Sequence, residues 1–452
     1  MKARLIAVAT LLLIGVPLTA QETSLTLFSS GRVLVRRTLP VSLPAGTTTL
    51  PLTLGAMSPS EFAVLEPGVT LQRLAFDPAY SEEALLRRNL GQRFMIRRGT
   101  EQPFPATLVS LDPERWELPG TGILFGRPGQ VIWPAEKVPS GPSVDVTLKS
   151  DRAREGLKLM YATSGANWSA HYRLTLGVAG RMEGAAMINT GALNFSDAEV
   201  QLLAGDIGAP QSMPPSRQAY AMSAKVASED MNGAGTSEEA VGEARLYTLP
   251  GRVTFTPGTQ LVMPLFDPAP AKAERRFTVS GALPYWGGFG QVEDEQDVPV
   301  AVAYRLERKL ATLFGDVPLP GGSVQVFDTD KAGRLQLIGQ GSIGHTAPGA
   351  ELLVHTGNAF DVTARRTQTD FSVTRTTTSP TRTIAMVTFK VALQNAKDSS
   401  VVVDVREDRG GEWSIVESSV AAQKRSATRV VFPVTVPAKG KATLTYRVRI
   451  VW

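Results

Sequence analysis

The sequence contains no cysteine and only three histidines among its 452 residues. The absence of cysteine excludes disulfide bonds, thiolate metal sites, a cysteine nucleophile and a lipidated N-terminal cysteine. Three histidines leave little material for a metal site, so we expect neither a metal nor another cofactor. After the first twenty residues no apolar run reaches the length of a membrane-spanning helix, so we expect no transmembrane helix there.

The charge balance gives no argument for nucleic-acid binding. The formal net charge is +5, and it falls to about +3 if Lys2 and Arg4 are removed with the first twenty residues. Hydrophobic residues make up 43% of the chain and charged residues 20%, which is typical of a globular protein. A chain of this length exceeds one ordinary core, and we expect about two to four domains.

The first twenty residues have the pattern of a secretory signal peptide. Lys2 and Arg4 form a basic start, an apolar run covers Leu5–Val16, and a short end leads to Ala20. Leu18 is larger than the residue that cleavage prefers, so an uncleaved anchor is the alternative. The pattern predicts an exported protein, periplasmic or located in the outer envelope or outside the cell.

Alternating apolar residues and Pro/Gly turns indicate a mainly β fold with a multidomain β-sandwich or barrel architecture. Runs such as Arg32–Arg37 and Thr47–Leu54 have strand composition, and a Pro-Ala-Gly turn at 44–46 separates them. The best helical segment is Ser81–Gln92, with Ser81 as the N-cap and Gly91 as the stop.

Composition changes suggest the domain boundaries. We expect a signal peptide at 1–20, an N-terminal β domain at 21–144 and a central β region at 145–373. Within the central region, the Pro-containing acidic stretch 208–244 is predicted to be a disordered insertion. The last segment, 374–452, is predicted to be an immunoglobulin-like β-sandwich without its cysteines.

Gly339, Gly341 and Gly344 spell the GxGxxG pattern of dinucleotide-binding proteins. That pattern functions only between a strand and a long helix, whose N-terminus binds the pyrophosphate. Here Pro348, Gly349 and Gly357 leave no room for the helix, and "ELLVHTG" has strand composition. We therefore interpret the glycines as turn residues and expect no nucleotide.

The sequence upstream predicts a β-hairpin, "SVQVFDTDKAGRLQLIG", with Asp328–Gly333 at its tip. Asp328, Asp330 and Gly333 resemble the start of a calcium loop, but the twelfth position is Gly339 rather than a bidentate Glu, and no helices flank the tip. A turn with local hydrogen bonds from aspartate is the preferred interpretation.

Several pieces of the chain, in order, match one known pattern. The longest is "LPGGSVQVFDTDKAGRLQLIGQGSIGHTAPGAELLVHTGNAFDVTARRTQTDF", and others are "LKLMYATSGANWSAHYRLTL" and "INTGALNFSDAEVQLLAGD". These pieces resemble the mucoidy inhibitor A-like family, in particular its C-terminal domain of unknown function. The resemblance covers about residues 145–452. It implies an exported, envelope-associated β protein with no established enzyme activity, and it supplies no catalytic residues. Members often carry a coiled coil, and no heptads occur here.

Two groups of residues are candidate binding sites. The first is His345 with Asp361 and Arg366, which could also serve an envelope hydrolase; a buried pair bracing adjacent strands is the structural alternative. The second, Tyr285, Trp286 and Phe289, could stack on a sugar or contact an apolar residue of a partner, or could simply cap a core.

The closing residues Leu444, Tyr446, Val448, Ile450 and Trp452 alternate as the last strand of an outer-membrane barrel would. With aromatics at only 7%, an ordinary closing strand is the better interpretation. The sequence as a whole favours a non-enzymatic binding or scaffolding protein of the bacterial envelope, with an envelope protein or a glycan as partner. The alternatives are the envelope hydrolase and an outer-membrane-associated β protein.

Overall fold

The computed structural model describes residues 22–78, 81–138, 141–177, 180–205, 237–241, 244–282, 295–377 and 381–452. Within these ranges most residues lie in strands and only two short α-helices occur, which confirms the prediction of a mainly β protein. None of the helices in the described ranges is long and apolar enough to cross a membrane. The predicted signal peptide lies outside the described residues.

The first part of the chain forms twelve strands, one α-helix and one turn of 3₁₀ helix at Ala135–Lys137. In chain order these elements are β1 (Thr23–Phe28), β2 (Arg32–Leu43), β3 (Gly46–Leu52), β4 (Ser58–Val64), β5 (Val69–Asp77), α1 (Glu82–Arg88), β6 (Arg93–Arg97), β7 (Phe104–Leu111), β8 (Glu114–Leu118), β9 (Gly122–Phe125), β10 (Gln130–Ile132), β11 (Ser143–Ser150) and β12 (Arg154–Ser164).

The remaining described residues form the strands from β13 onward and one further short helix. These are β13 (Asn167–Thr175), β14 (Arg181–Asn189), β15 (Phe195–Ala204), β16 (Ser237–Val241), β17 (Ala244–Phe255), β18 (Gln260–Pro270), β19 (Ala273–Ala282), β20 (Gln296–Val298), β21 (Ala301–Leu306), α2 (Leu313–Asp316), β22 (Gly322–Thr329), β23 (Leu335–Ile343), β24 (Leu352–Asn358), β25 (Val362–Arg375), β26 (Thr383–Asn395), β27 (Val401–Asp408), β28 (Glu412–Ser418), β29 (Gln423–Ser426), β30 (Arg429–Val436) and β31 (Lys441–Val451).

The chain divides into two compact units, and the first combines residues 1–168, 189–203 and 251–260. Its largest sheet contains, in spatial order, the end of β17 followed by β15, β1, β2, β12 and β4. The first strand pairs in parallel with β15, placing Thr23 opposite Ala198. A three-stranded sheet, β3-β11-β5, completes this part of the unit.

The first unit also contains a separate five-stranded sheet with the order β10-β6-β7-β8-β9, here called the small sheet. Alternate residues of its strands face one core, so that six fully or nearly buried side chains pack together. They are Leu86, Phe94, Ile96, Ala106, Leu108 and Trp116. Leu86 comes from α1, which therefore covers the inner face of the small sheet.

The helix α1 confirms the only strong helical prediction, although it is shorter than the predicted Ser81–Gln92. The Ser81 side chain accepts a hydrogen bond from the Ala84 amide, as an N-cap does. Glu82 and Glu83 lie in the first turn and arginines in the last, which suits the helix dipole. Gly91 lies just beyond the helix with φ of +79°, a conformation that favours glycine.

The second unit contains residues 169–188, 204–250 and 261–452. One of its sheets has the order β18-β14-β13-β22-β23, and β22 and β23 form the predicted hairpin. At its tip, the Asp330 carboxylate accepts hydrogen bonds from the backbone amides of Ala332 and Arg334, both at 2.9 Å. The tip is therefore the predicted aspartate turn.

The other two sheets of this unit form a face-to-face pair, here called the C-terminal sandwich. Their orders are β24-β21-β19-β27-β30-β29 and β20-β25-β26-β31-β28. Valines at alternate positions of β27 (401, 403, 405) and the inward residues of β31 (444, 446, 448, 450) share one core. The closing strand β31 pairs with β26 and β28 and is thus an ordinary sandwich strand.

The structure draws the boundaries differently from the sequence prediction. Residue 374 lies inside β25, which pairs with β26 over thirteen residues, because the two strands form one hairpin. The sandwich accordingly starts near Ala273 and includes β19, β20, β21, β24 and β25. Residue 145 likewise lies inside β11, whose two neighbours are N-terminal strands.

Only the end of the predicted insertion 208–244 lies within the described residues. Ser237–Val241 form β16, which pairs with the start of β17. The prediction of disorder is therefore wrong for 237–241, because these residues form a strand that pairs with the first residues of β17. Residues 208–236 lie outside the described residues.

Candidate functional site

An open groove of about 1190 Å³ lies in the second unit and is the candidate binding site. Three connections form its walls: the turn between β13 and β14, the junction of β18 with β19, and the segment that runs from the end of β21 into α2. The residues that line it are Leu176, Gly177, Gly180, Pro270, Ala271, Lys272, Ala273, Glu274, Arg305, Glu307, Lys309, Thr312, Leu313 and Phe314.

The wall that contains α2 is held in place by Arg308, whose side chain is almost fully buried at 3% exposure. Its Nε donates to the Phe314 carbonyl at 3.1 Å and its Nη1 to the Ala347 carbonyl at 2.8 Å. A further nitrogen, Nη2, donates to the carbonyls of Gly315 and Val317. One side chain thus connects α2, which contains Phe314 and Gly315, with Val317 and with Ala347 in the connection between β23 and β24.

The Arg308 guanidinium also lies 5.2 Å from the centre of the Phe314 ring. Burial lowers its pKa, and two tyrosines and Asp316 act in the opposite direction. Because its hydrogen-bond partners within the described residues are all carbonyl oxygens, a positive charge is retained beneath this wall of the groove.

Two buried tyrosines extend the same support. Tyr172 Oη donates to the Pro320 carbonyl at 2.7 Å, and Tyr247 Oη donates to the Pro318 carbonyl at 3.3 Å. Burial raises the pKa of Tyr172, so its hydroxyl stays a neutral donor. The segment 308–320 is therefore fixed from below, and the wall of the groove is preformed.

Above this support, the groove presents apolar and charged groups together. Leu313 is 54% exposed although its neighbour Phe314 is buried. Arg305 is engaged by Glu351 at 2.7 Å and by Glu274 at 3.6 Å. Lys272 is exposed and has no ion-pair partner among the described residues. The arrangement suits a ligand with an apolar part and an anionic group.

The predicted group of His345, Asp361 and Arg366 is not a single site. His345 is exposed, and its Nδ1 accepts a hydrogen bond from the Gly321 amide at 3.1 Å. Asp361 is half-buried and pairs with Lys397 Nζ at 3.0 Å. Arg366 lies five residues further along extended chain, roughly 16 Å from Asp361 by Cα position. Each side chain thus has its own partners.

Arg366 instead belongs to a buried cluster in the C-terminal sandwich. Its Nη2 lies 3.2 Å from Glu407 Oε1, its Nε donates to Tyr446 Oη at 3.4 Å, and its guanidinium carbon lies 3.8 Å from the centre of the Phe389 ring. Tyr446 Oη donates to Glu407. The bracing pair considered for the predicted group therefore exists, but Arg366 forms it with Glu407 across two sheets.

Glu407 has no exposed side-chain surface. Space for its carboxylate comes from Gly281, on the neighbouring strand, because a Cβ there would lie 2.1 Å from Oε1. Burial raises the pKa of Glu407, although the Arg366 charge and the hydrogen bonds from Arg366 and Tyr446 act to lower it. The Glu407 side chain is fully buried and the Arg366 side chain is only 14% exposed, so we interpret this cluster as a stabilising contact of the sandwich and not as a ligand site.

Alternation along β27 is a sequence signal for Glu407 that the predicted sites did not include. Val401, Val403 and Val405 alternate inward along β27, and Glu407 occupies the next inward position. A carboxylate at an inward position requires a buried partner. The same count along β25 turns Arg366 inward with Val362 and Ala364, so alternation predicts that both charged side chains face a core.

Tyr285, Trp286 and Phe289 lie outside the described residues, and their role as a binding site stays a prediction. The glycines of the GxGxxG pattern do not precede a long helix. The interpretation as turn residues is wrong for Gly339 and Gly341, which lie in β23, where Cβ atoms would contact Thr356 and the His355 carbonyl of β24. Among the described residues no group of three or more acidic or histidine side chains could hold a metal ion.

Comparison with models of known protein families gives no match for this chain. A comparison with curated proteins gives no match either. The resemblance to the mucoidy inhibitor A-like family therefore stays a prediction that rests on the quoted sequence pieces.

Proposed function

We propose that this chain is a non-enzymatic binding or scaffolding protein of the bacterial envelope and that it binds its partner in the groove beside α2. The observation that carries the proposal is the preformed wall: buried Arg308, Tyr172 and Tyr247 fix a segment that nevertheless leaves Leu313 exposed. A rigid wall with an exposed aliphatic side chain binds without a large ordering cost. Such a wall has no evident role in the core of the unit.

The partner we propose is an envelope protein or a glycan that carries an anionic group next to an apolar part. Lys272 supplies a cation that has no ion-pair partner among the described residues, although Glu274 and Glu307 also line the groove, and Arg308 adds positive charge from below. Export and envelope location are supported by the N-terminal sequence pattern and by the family resemblance. The immunoglobulin-like topology of the C-terminal sandwich is likewise part of this proposal.

The hydrolase alternative requires His345 and Asp361 to act together on one substrate. The Gly321 amide occupies Nδ1 of the histidine, and Lys397 pairs with the aspartate. This geometry favours the binding function, and the proposal includes no catalytic residue.

The binding site can be tested by photo-crosslinking in living cells with a photoreactive amino acid at position 313. We expect discrete adducts that are lost when Lys272→Glu is added. A matched control is position 416 on β28, where Val416 is also exposed and aliphatic. Equal adducts at both positions, or adducts that persist with Lys272→Glu, would contradict the proposed site.

Export is tested by cell fractionation and N-terminal sequencing. We expect the chain in the envelope fraction, beginning after Ala20. A chain that stays in the cytoplasm with its first twenty residues attached would overturn the envelope role.

A further inference from the structure

The small sheet ends in an exposed edge strand, β9, that has an unusual combination of apolar side chains and free backbone groups. It is the last strand in the order β10-β6-β7-β8-β9. Ile123 is 57% exposed and Phe125 70% exposed. Edge strands with exposed apolar side chains are sites of pairing with another strand, and proteins usually protect them with charges or proline.

The hydrogen-bond pattern shows which backbone groups of β9 are free. The Gly126 amide donates to the Glu114 carbonyl at 2.8 Å, so this opposing pair is hydrogen-bonded. In an antiparallel ladder such pairs alternate with non-hydrogen-bonded ones. Leu124 therefore bonds to β8, whereas the N–H and C=O groups of Ile123 and Phe125 point to the open edge. Within the described residues no other backbone group bonds to them.

The side chains of these two residues lie on the face of the small sheet that is opposite its core. Phe125 is opposite Arg115 of β8, and Ile123 is opposite Glu117. Trp116, between the two, faces the core. The outer face at this edge thus carries two neighbouring cross-strand pairs, Arg115 with Phe125 and Glu117 with Ile123. The charged residues of the two pairs have opposite signs, and the apolar residue of each pair lies at the open edge.

We propose that β9 pairs antiparallel with β9 of a second copy of this chain, which joins two small sheets into one sheet of ten strands. In the register that places Ile123 opposite Phe125 of the second copy, the N–H and C=O groups of both residues form hydrogen bonds with the second copy. Ile123 and Phe125 then form two equivalent hydrogen-bonded pairs about a twofold axis at Leu124.

Charge order selects a second copy as the occupant. In this register each row across the joint reads Glu117, Ile123, Phe125 of the second copy, Arg115 of the second copy. Each row across the joint therefore has a glutamate at one end and an arginine at the other, and no two like charges lie opposite each other. A purely acidic or purely basic peptide would meet one unfavourable charge at this edge.

Because β9 has only four residues, the contact is smaller than a standard dimer interface, and we expect a dissociation constant on the order of 100 µM. Sedimentation equilibrium of the purified chain should show a mass that rises with concentration toward twice that of the monomer. The interface is tested further with variants of β9.

The double variant Ile123→Lys/Phe125→Lys should weaken association by at least about 10-fold. Val262→Lys, at a similarly exposed position on the edge strand β18, should leave the association unchanged.

The register is tested independently with Leu124→Cys. In the proposed dimer the two copies of residue 124 form a non-hydrogen-bonded pair with Cα atoms about 4.5 Å apart, which a disulfide can bridge. The chain has no cysteine of its own, so a covalent dimer reports this contact alone. Mild oxidation should cross-link Leu124→Cys and should not cross-link the control Val262→Cys.

The proposal is overturned if the chain stays monomeric at concentrations several times the expected dissociation constant. It is also overturned if the double lysine variant dimerises like the unmodified chain, or if folded Leu124→Cys cross-links no better than its control. Binding of a peptide at β9 by a chain that remains monomeric would replace the second copy as the occupant. Should Leu124→Cys fail to fold, the sedimentation result decides.

Discussion

The C-terminal sandwich and the small sheet each contain a glutamate that contacts a buried aromatic side chain. The two glutamates differ in burial and in the direction in which the protein shifts their pKa. In the sandwich, Glu407 lies inside the core between Arg366 and Tyr446, and burial raises its pKa against the effect of these partners. In the small sheet, Glu114 lies at the rim and accepts the Trp116 indole N–H at 2.9 Å. Burial also acts to raise its pKa, but hydrogen bonds from Trp116 and Arg127 outweigh it and lower the pKa.

This difference gives the two regions opposite responses to acid. Glu407 binds its proton more tightly in the folded state, so its contribution to stability falls as pH rises from the ordinary value of 4.5 through the raised pKa. Glu114 binds its proton less tightly when folded. Its contribution is complete above 4.5 and is lost as pH falls through the lowered pKa.

The largest expected effect is from Glu407→Ala, which leaves Arg366 buried without its partner. We expect the free energy of unfolding of the sandwich to fall by about 3–5 kcal/mol. Hydrogen exchange of the amides of β26 and β31 under denaturant measures this value. The same exchange in the small sheet should not change.

The double variant Arg366→Met/Glu407→Leu shows whether the loss comes from the unpaired Arg366 charge, because it removes both charges and fills a similar volume. It should recover most of the loss, since buried pairs replaced by apolar side chains are often neutral. A single variant that costs less than about 1 kcal/mol would show that the Arg366 charge finds another partner or water.

The next effect concerns the glycine that makes room for this carboxylate. Gly281→Ala places a Cβ 2.1 Å from Glu407 Oε1, and we expect it to destabilise the sandwich by about 1–3 kcal/mol. Gly344→Ala is the matched control, because its Cβ would have no heavy atom within 4 Å. Equal melting temperatures for the two variants would contradict a tightly fixed Glu407.

A smaller effect is expected in the small sheet from Glu114→Gln. This change weakens the hydrogen bonds with Trp116 and Arg127 and should cost about 1 kcal/mol at neutral pH. The cost should shrink as pH falls through the lowered pKa of Glu114, since the native carboxylate then also becomes neutral. Amide exchange in β7 and β8 as a function of pH measures both the cost at neutral pH and its decrease in acid. Glu117→Gln, an exposed position on the same strand, should show neither effect.

The smallest effect is expected at the hairpin tip, which belongs to neither region and serves as a reference. Backbone N–H donation from Arg334 is the main cause that lowers the pKa of Asp330. Asp330→Ala should speed amide exchange at Ala332 and Arg334 while global unfolding stays unchanged. The tip should loosen in the native protein only below pH 3.8, the ordinary pKa of aspartate, because the pKa of Asp330 is lowered. Lys331→Ala is the control, and a drop in global stability would contradict a purely local role.

Local elements were predictable because their causes are local. The β22–β23 hairpin, the Asp330 turn and the Ser81 cap each depend on residues within one turn or one hairpin, and the structure contains all three. The inward residues of β31 followed from alternation in the same way.

Boundaries and partners were not predictable because they depend on contacts distant in sequence. Nothing near residue 145 shows that β11 lies between β3 and β5, and Arg366 lies 41 residues from Glu407. The groove combines three connections from β13 to α2, none of which has a motif. Parity along each strand would have turned Arg366 and Glu407 inward, but only the sheet order shows that they meet.

The parallel pairing of β1 with β15 has a consequence for the order of events during folding. Thr26 contacts Gln201 across 175 residues, and the first compact unit also needs residues 251–260. A nascent chain therefore cannot complete this unit until residues 251–260 have been synthesised, and contacts of such long range form slowly. Over that interval β1 can pair with the adjacent β2, but the edge of β1 that pairs with β15 stays open, so β1 is made long before its pairing is complete.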